Sequence, residues 1–221
     1  MSRQRGREPV SSGLTGREPA LSGRPQQPRP GWGHATGFIA LQPASTWRQV
    51  SASLLPEAQQ VINRYSWAFD ERRVDALLEL FTPDAVWDAS VMGEVQIGPF
   101  VGRERILEWL TAFWPKQRDQ RRHVFTNYIV DEFDGTSLSV YCYLQLFGSR
   151  HAASQFETAG FARFTLKRLS AELEPVNQAA NGWAITHFTA GYDSPFWSMP
   201  LSDMTQELRD LFGITSITST T

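Results

Sequence analysis

The stretch RHVFTNYIVDEFDGTSLSVYCYLQLFG, residues 122–148, decides the fold. Two runs rich in β-branched and aromatic residues, Arg122–Phe133 and Ser137–Gly148, flank Asp134-Gly135. An Asp-Gly pair adopts the positive φ of a tight reversal at little cost, so the stretch predicts a long β-hairpin. Two further runs, Glu157–Leu169 and Gly182–Tyr192, repeat the pattern, with the polar segment Ser170–Asn181 between them as a long loop. Four consecutive strands of this kind predict an antiparallel sheet.

Upstream the period changes. Pro56 and Glu57 open a helical pattern, proline being tolerated in a first turn, and Val61, Ile62, Tyr65, Ala68 and Phe69 recur at helical spacing. The polar cluster Asp70-Glu71-Arg72-Arg73 interrupts it. A second short helix, Val74 to Phe81, stops at Thr82-Pro83-Asp84, because the residue before a proline avoids helical geometry. Ala85–Ala89 reads as a strand, and Gly98-Pro99 and Gly102 read as turns. Ile106, Leu107, Trp109, Leu110 and Phe113 mark a third amphipathic helix, and Leu201–Phe212 a last one. Helices gathered on one side of an antiparallel sheet give an α+β architecture. Strong bending of such a sheet makes a cone around the N-terminal helices, with a central pocket.

Residues 1–50 differ in kind. They carry seven arginines against two glutamates, a net +5, which leaves −7 on residues 51–221 of a chain whose total is −2. Six prolines and few bulky apolar groups predict a disordered tail, followed by one domain over 51–221. The mildly acidic, aromatic-rich domain excludes a nucleic-acid partner, and no apolar run approaches the length of a membrane span. Cys142 is the single cysteine, so no internal disulfide forms. No His-x-His or His-Glu-x-x-His spacing predicts a metal, no Gly-x-Ser-x-Gly elbow or phosphate-cradling loop occurs, and no cofactor is expected. A cytoplasmic protein follows as the expectation.

The order of elements, the phrase Phe81-Thr82-Pro83-Asp84-Ala85-Val86-Trp87, the turn-helix Gly102-Arg103-Glu104-Arg105-Ile106 and the late Gly182-Trp183-Ala184-Ile185 resemble the SnoaL-like branch of the nuclear transport factor two superfamily, over roughly residues 54–195. The resemblance implies the cone fold and a homodimer joined through the exposed sheet face. It leaves the activity open, because this fold carries enzymes, binding modules and structural subunits alike.

Tyr65, Asp70, His123 and Asn127 stand out chemically. Strand alternation puts His123, Phe125, Asn127 and Ile129 on one face and Val124, Thr126, Tyr128 and Val130 on the other, and either face suits burial. A carboxylate that accepts from one imidazole nitrogen fixes the tautomer and makes the other nitrogen the better base. Such a histidine removes a proton alpha to a carbonyl and returns it to a departing hydroxyl, while a tyrosine polarises the carbonyl. That supports dehydration, isomerisation or cyclisation. Each residue also has an ordinary structural reading: Tyr65 as a core aromatic, Asp70 as a helix-end group, His123 as a surface strand residue, Asn127 as a structural hydrogen-bonder.

The scytalone dehydratase and bile acid dehydratase branch resembles this pattern, with a helix Asp, a Tyr before it and a strand His. The resemblance implies Asp70 as orienter, His123 as general base and acid, and Tyr65 as hydrogen-bond donor. Scytalone dehydratase has a second pocket histidine on the next strand, where this chain has Tyr141, Tyr143 and Gln145. Asn127, Trp87, Tyr143 and Arg163 are the expected substrate-binding residues, with Glu157, Asp88 and His187 as further candidates for the lining. The expectation is a lyase or isomerase (dehydratase or cyclase) acting on a hydrophobic, oxygenated small molecule such as a polyketide or steroid-like compound. The alternatives are a noncatalytic binding or assembly module and a dioxygenase small (beta) subunit with an iron-bearing partner.

Overall fold

The computed structural model describes residues 54–93, 95–169, 182–198 and 205–214. The expected tail (1–50), the loop Ser170–Asn181 and the first four residues of the expected last helix lie outside the described residues. Helix α1 spans Leu54–Asp70, α2 Val74–Leu80 and α3 Arg103–Phe113, followed by a short 3-10 turn, Trp114–Lys116. The strands are β1 Phe81–Val91, β2 Val95–Val101, β3 Gln120–Phe133, β4 Ser137–Arg150, β5 Ala153–Arg168 and β6 Trp183–Tyr192, with α4 at Gln206–Leu211.

The six strands form one sheet in the order β2-β1-β6-β5-β4-β3. The β3–β4, β4–β5 and β5–β6 pairs are antiparallel, as their sequence predicts, and Asp134 caps the first reversal by accepting from the Thr136 and Ser137 N–H groups. The β1–β6 pair is parallel, which an unbroken antiparallel sheet does not anticipate. Register shifts in β1, β3, β4, β5 and β6 each add local twist, and together they bend the sheet into the cone-shaped α+β barrel.

Strand β2 corrects the expectation of turns at Gly98-Pro99. It lies at the sheet edge, where a proline's missing N–H costs no ladder bond. Gly98 still donates its own N–H, to the Phe212 carbonyl at 3.0 Å, which ties the C-terminal segment to this edge.

The helices fill the concave side. Leu138, Val140, Cys142, Leu144 and Leu146 of β4 alternate inward and are essentially buried, as are Ala162, Phe164 and Leu166 of β5. Against them pack Val61, Ile62 and Tyr65 of α1 and Ile106, Trp109 and Leu110 of α3, all at helical spacing. The C-terminal segment contributes Phe212, whose ring meets Phe113 at 5.0 Å and Trp109 at 6.0 Å.

Candidate active site

Helix α1 ends in a way that fixes one carboxylate. The Arg73 N–H returns to the Ala68 carbonyl at 2.7 Å and the Arg72 N–H to the Phe69 carbonyl at 3.1 Å, with Arg72 at φ 55°. That is a Schellman termination, built on an arginine where glycine is commonest, and it makes Asp70 the last helical residue. The same end is clamped to the start of β3. Gln120 Nε2 donates to the Asp70 carbonyl at 2.9 Å, and Arg122 pairs with Glu71 at 2.8 Å.

Asp70 and His123 meet there. The His123 Nδ1 lies 2.6 Å from Asp70 Oδ1, and the His123 backbone N–H donates to Asp70 Oδ2 at 2.9 Å. Both side chains are nearly sealed, at 7% and 5% exposure. Strand β3 is an edge, so its outward N–H groups have no ladder partner, and the aspartate caps one of them. Because a carboxylate only accepts, Nδ1 carries the shared proton, and in the neutral ring Nε2 keeps the lone pair. The imidazole is wedged edge-on against Phe69 at 4.8 Å and stacked on Phe125 at 6.3 Å.

Tyr65 does not join the pair directly. Five residues turn a helix about 140° beyond a full circle, so Tyr65 and Asp70 leave α1 in different directions. Tyr65 points into the aromatic core, 5.0 Å from Phe188, 5.4 Å from Phe164 and 6.4 Å from Phe125. Its hydroxyl accepts from Trp87 Nε1 at 3.0 Å. Burial pushes the Tyr65 hydroxyl well above its ordinary pKa, the Trp87 hydrogen bond opposes this, and Tyr192 and Asp70 add to the rise. The group therefore remains an O–H donor at any physiological pH.

The other expected contacts fall elsewhere. Asn127 sits at φ 55° where three steps of β3 face two of β4, from Thr126 opposite Tyr143 to Ile129 opposite Tyr141. This bulge resets the alternation, so Tyr128 and Val130 pack against the core and Asn127 is exposed, which corrects the predicted faces. Tyr143 is 60% exposed on the outer face of β4, opposite in direction to buried Cys142 and Leu144. Arg163 is also on the outer face, over the Tyr141 ring at 5.5 Å and bonded to Glu132 and Ser139. Tyr141, Tyr143 and Gln145 therefore do not replace an inward histidine; Leu146 stands opposite His123. A second acid–histidine contact, His187 Nε2 to Asp88 Oδ2 at 2.8 Å, lies on the outer face of β6 and β1.

Sequence reasoning named Asp70, His123 and Glu157 but missed the buried Arg121–Asp119 pair beside them. Arg121 and Glu157 are 6% and 3% exposed, with Asp119 bonded to Arg121 at 3.1 Å. The signal was available: Arg121 shares the strand parity of His123. A smaller hollow of about 410 Å³ opens beside Asp70, walled by Gln117, Arg118, Asp119 and Gln120. Among the described residues no three His, Cys, Asp or Glu side chains gather as metal ligands, and no helix is long and apolar enough to cross a membrane.

Residues 52–189 match the SnoaL-like domain family, and the chain belongs to it. A solved structure from Catenulispora acidiphila is 26% identical, covering 64% of this chain and 93% of its own, with a TM-score of 0.53. Another from the same organism, in complex with S-DNPA, is 25% identical over 65% of this chain and 96% of its own, also at 0.53. Aln2 from a Streptomyces species, 21% identical over 66% of this chain and 95% of its own, has a TM-score of 0.52 and shares the fold. No curated protein matches in sequence.

Proposed function

We propose that the domain is a cofactor-independent lyase or isomerase that works on a hydrophobic, oxygenated small molecule by Asp–His general acid/base catalysis. The observation that supports it is the doubly bonded Asp70–His123 contact, 2.6 Å at the ring and 2.9 Å at the backbone. In a dehydration, His123 Nε2 takes the proton from the carbon alpha to a carbonyl. The C–O bond at the beta carbon then breaks, and the same nitrogen returns its proton to the departing hydroxyl as water. Asp70 holds the ring and balances the imidazolium charge. Tyr65 remains protonated but is sealed in the aromatic core, so in this reading it supports the wall behind the pair and does not touch the substrate. The similar solved structure from Catenulispora acidiphila in complex with S-DNPA fits a small-molecule role.

The test is incubation of the full chain in D2O with aryl ketones bearing a beta-hydroxyl, read by NMR. Deuterium appearing at the alpha carbon, with alkene formation, and its loss in His123→Ala and Asp70→Asn, is the expected result. Exchange that persists in both folded variants removes the reading.

A second reading, a noncatalytic small-molecule-binding module, is favoured by the tight aromatic packing of Tyr65 and the near-complete burial of the His123 ring. Ligand binding by a protein whose His123→Ala form binds equally well, with no exchange by the parent, would select it.

A further inference from the structure

Beyond His123, toward the β4–β5 reversal, lies a cavity of about 930 Å³. Arg121 lines it and shares the inner face of β3 with His123, two residues away, or about 6.6 Å along the strand. His123 is not part of its wall.

The charges around this cavity do not cancel. Lys116, Arg118, Arg121 and Arg150 line it, against Asp119, Glu157 and Glu207. Each anion already has its partner. Asp119 Oδ2 accepts from Arg121 Nε at 3.1 Å, and Glu207 is paired with Lys116. Glu157 Oε2 accepts from the Ser198 N–H at 2.8 Å and hydroxyl at 2.7 Å, and Oε1 accepts from Gln155 at 2.8 Å. Arg118 and Arg150 have no anionic partner among the described residues; Arg150 gives only its Nε–H, to His151 Nε2 at 2.9 Å. Among its described lining residues the cavity thus carries one more cationic than anionic group, and it presents two guanidinium groups that no carboxylate pairs.

Its back wall is built rather than incidental. Arg121 lies over the Phe196 ring at 4.7 Å, and two of its five donors are used, on Asp119 and on Ser198 at 3.4 Å. A Cβ on Gly148 would lie 2.6 Å from Asp119 Oδ2 and 2.7 Å from Glu157 Oε1, so glycine there lets both carboxylates converge beside the arginine. Sequestering three charges in this way adds little to stability compared with apolar packing, but it holds a polar surface in one shape. Apolar area is supplied by Phe113, Leu208 and Trp197, the last 76% exposed. The volume lies within the range of small-molecule sites.

We infer that this cavity binds a small molecule with an apolar body and an anionic head, a carboxylate or a phosphate, which Arg118 and Arg150 engage while Trp197, Phe113 and Leu208 pack the body. Planar guanidinium forks suit both heads. The inference does not depend on proton transfer at His123.

Titration calorimetry on the full chain, with 1-naphthylacetate, 1-naphthyl phosphate and neutral 1-naphthylacetamide, tests it. At least one anion binds about tenfold or more tightly than the amide, and the preferred anion identifies the head group. Arg118→Gln with Arg150→Gln, both surface positions, weakens that anion by a similar factor without moving the amide or the melting temperature. Equal affinity for anion and amide, an anion unaffected by the double variant, or no binding of any of the three overturns the inference.

Discussion

Removing the Asp70 carboxylate has a cost that the structure lets one apportion. The group accepts two hydrogen bonds, from the His123 ring at 2.6 Å and from the His123 backbone N–H at 2.9 Å, and both partners are nearly sealed from water. A buried hydrogen bond to a charged group contributes about 1.5–3 kcal/mol, so Asp70→Ala, which loses both, costs about 3–5 kcal/mol. His123→Ala keeps the backbone N–H bond to Asp70. It loses the ring bond and the contacts with Phe69 and Phe125, for about 2–3 kcal/mol. The double variant loses the ring bond only once, so its cost falls short of the sum by about 1.5–3 kcal/mol. Urea denaturation of the four proteins measures this coupling. A coupling below about 0.5 kcal/mol, or an Asp70→Ala protein as stable as the parent, refutes the picture of one mutually locked pair.

Three further outcomes are expected. Tyr65→Phe leaves the Trp87 indole N–H buried without an acceptor and destabilises by about 1–3 kcal/mol in denaturant titration, more than the loss of one hydroxyl from an exposed site. Burial pushes the Cys142 thiol up to about 12, so the folded protein stays inert to a thiol reagent at pH 8 and reacts only in denaturant. Burial alone would raise the Glu157 carboxyl, but its bonds from Ser198 and Gln155 and the nearby Arg121 outweigh it and hold the group below its ordinary value of 4.5. A carboxyl lowered on folding contributes stability above its unfolded value and loses it as pH falls through the folded one. Melting temperature should therefore drop on acidification from about pH 5 more steeply for the parent than for Glu157→Gln, and parallel curves would contradict this.

How much of this the chain displays to a reader depends on locality. The β3–β4 hairpin is legible because strand period and an Asp-Gly reversal are both local. Strand β2 is not, since Gly98-Pro99 carries the composition of a turn and only its place at the sheet edge makes a proline acceptable there. The parallel β1–β6 pairing joins residues about a hundred positions apart, and no local pattern announces it. At the site, Asp70 and His123 are found from residue type and from the resemblance to known dehydratases. The faces of β3 are misread past Thr126 because Asn127 takes a left-handed conformation and inserts one residue into the alternation. Tyr143 and Arg163 have the right chemistry on the wrong side of the sheet, a distinction that parity along β4 and β5 settles only once Cys142 and Ala162 are known to point inward. Arg121 has the parity of His123, yet a buried arginine is not expected until Asp119 and Ser198 are seen beside it.

The central claim is that a fixed imidazole presents an unprotonated Nε2 while Asp70 holds the proton on Nδ1. Nitrogen-15 NMR of histidine-labelled protein at alkaline pH, with His123→Gln for assignment, reads this directly. The account predicts a pyrrole-type shift for Nδ1 and a pyridine-type shift for Nε2 of residue 123. The reverse tautomer, or a ring averaging between the two, would contradict it.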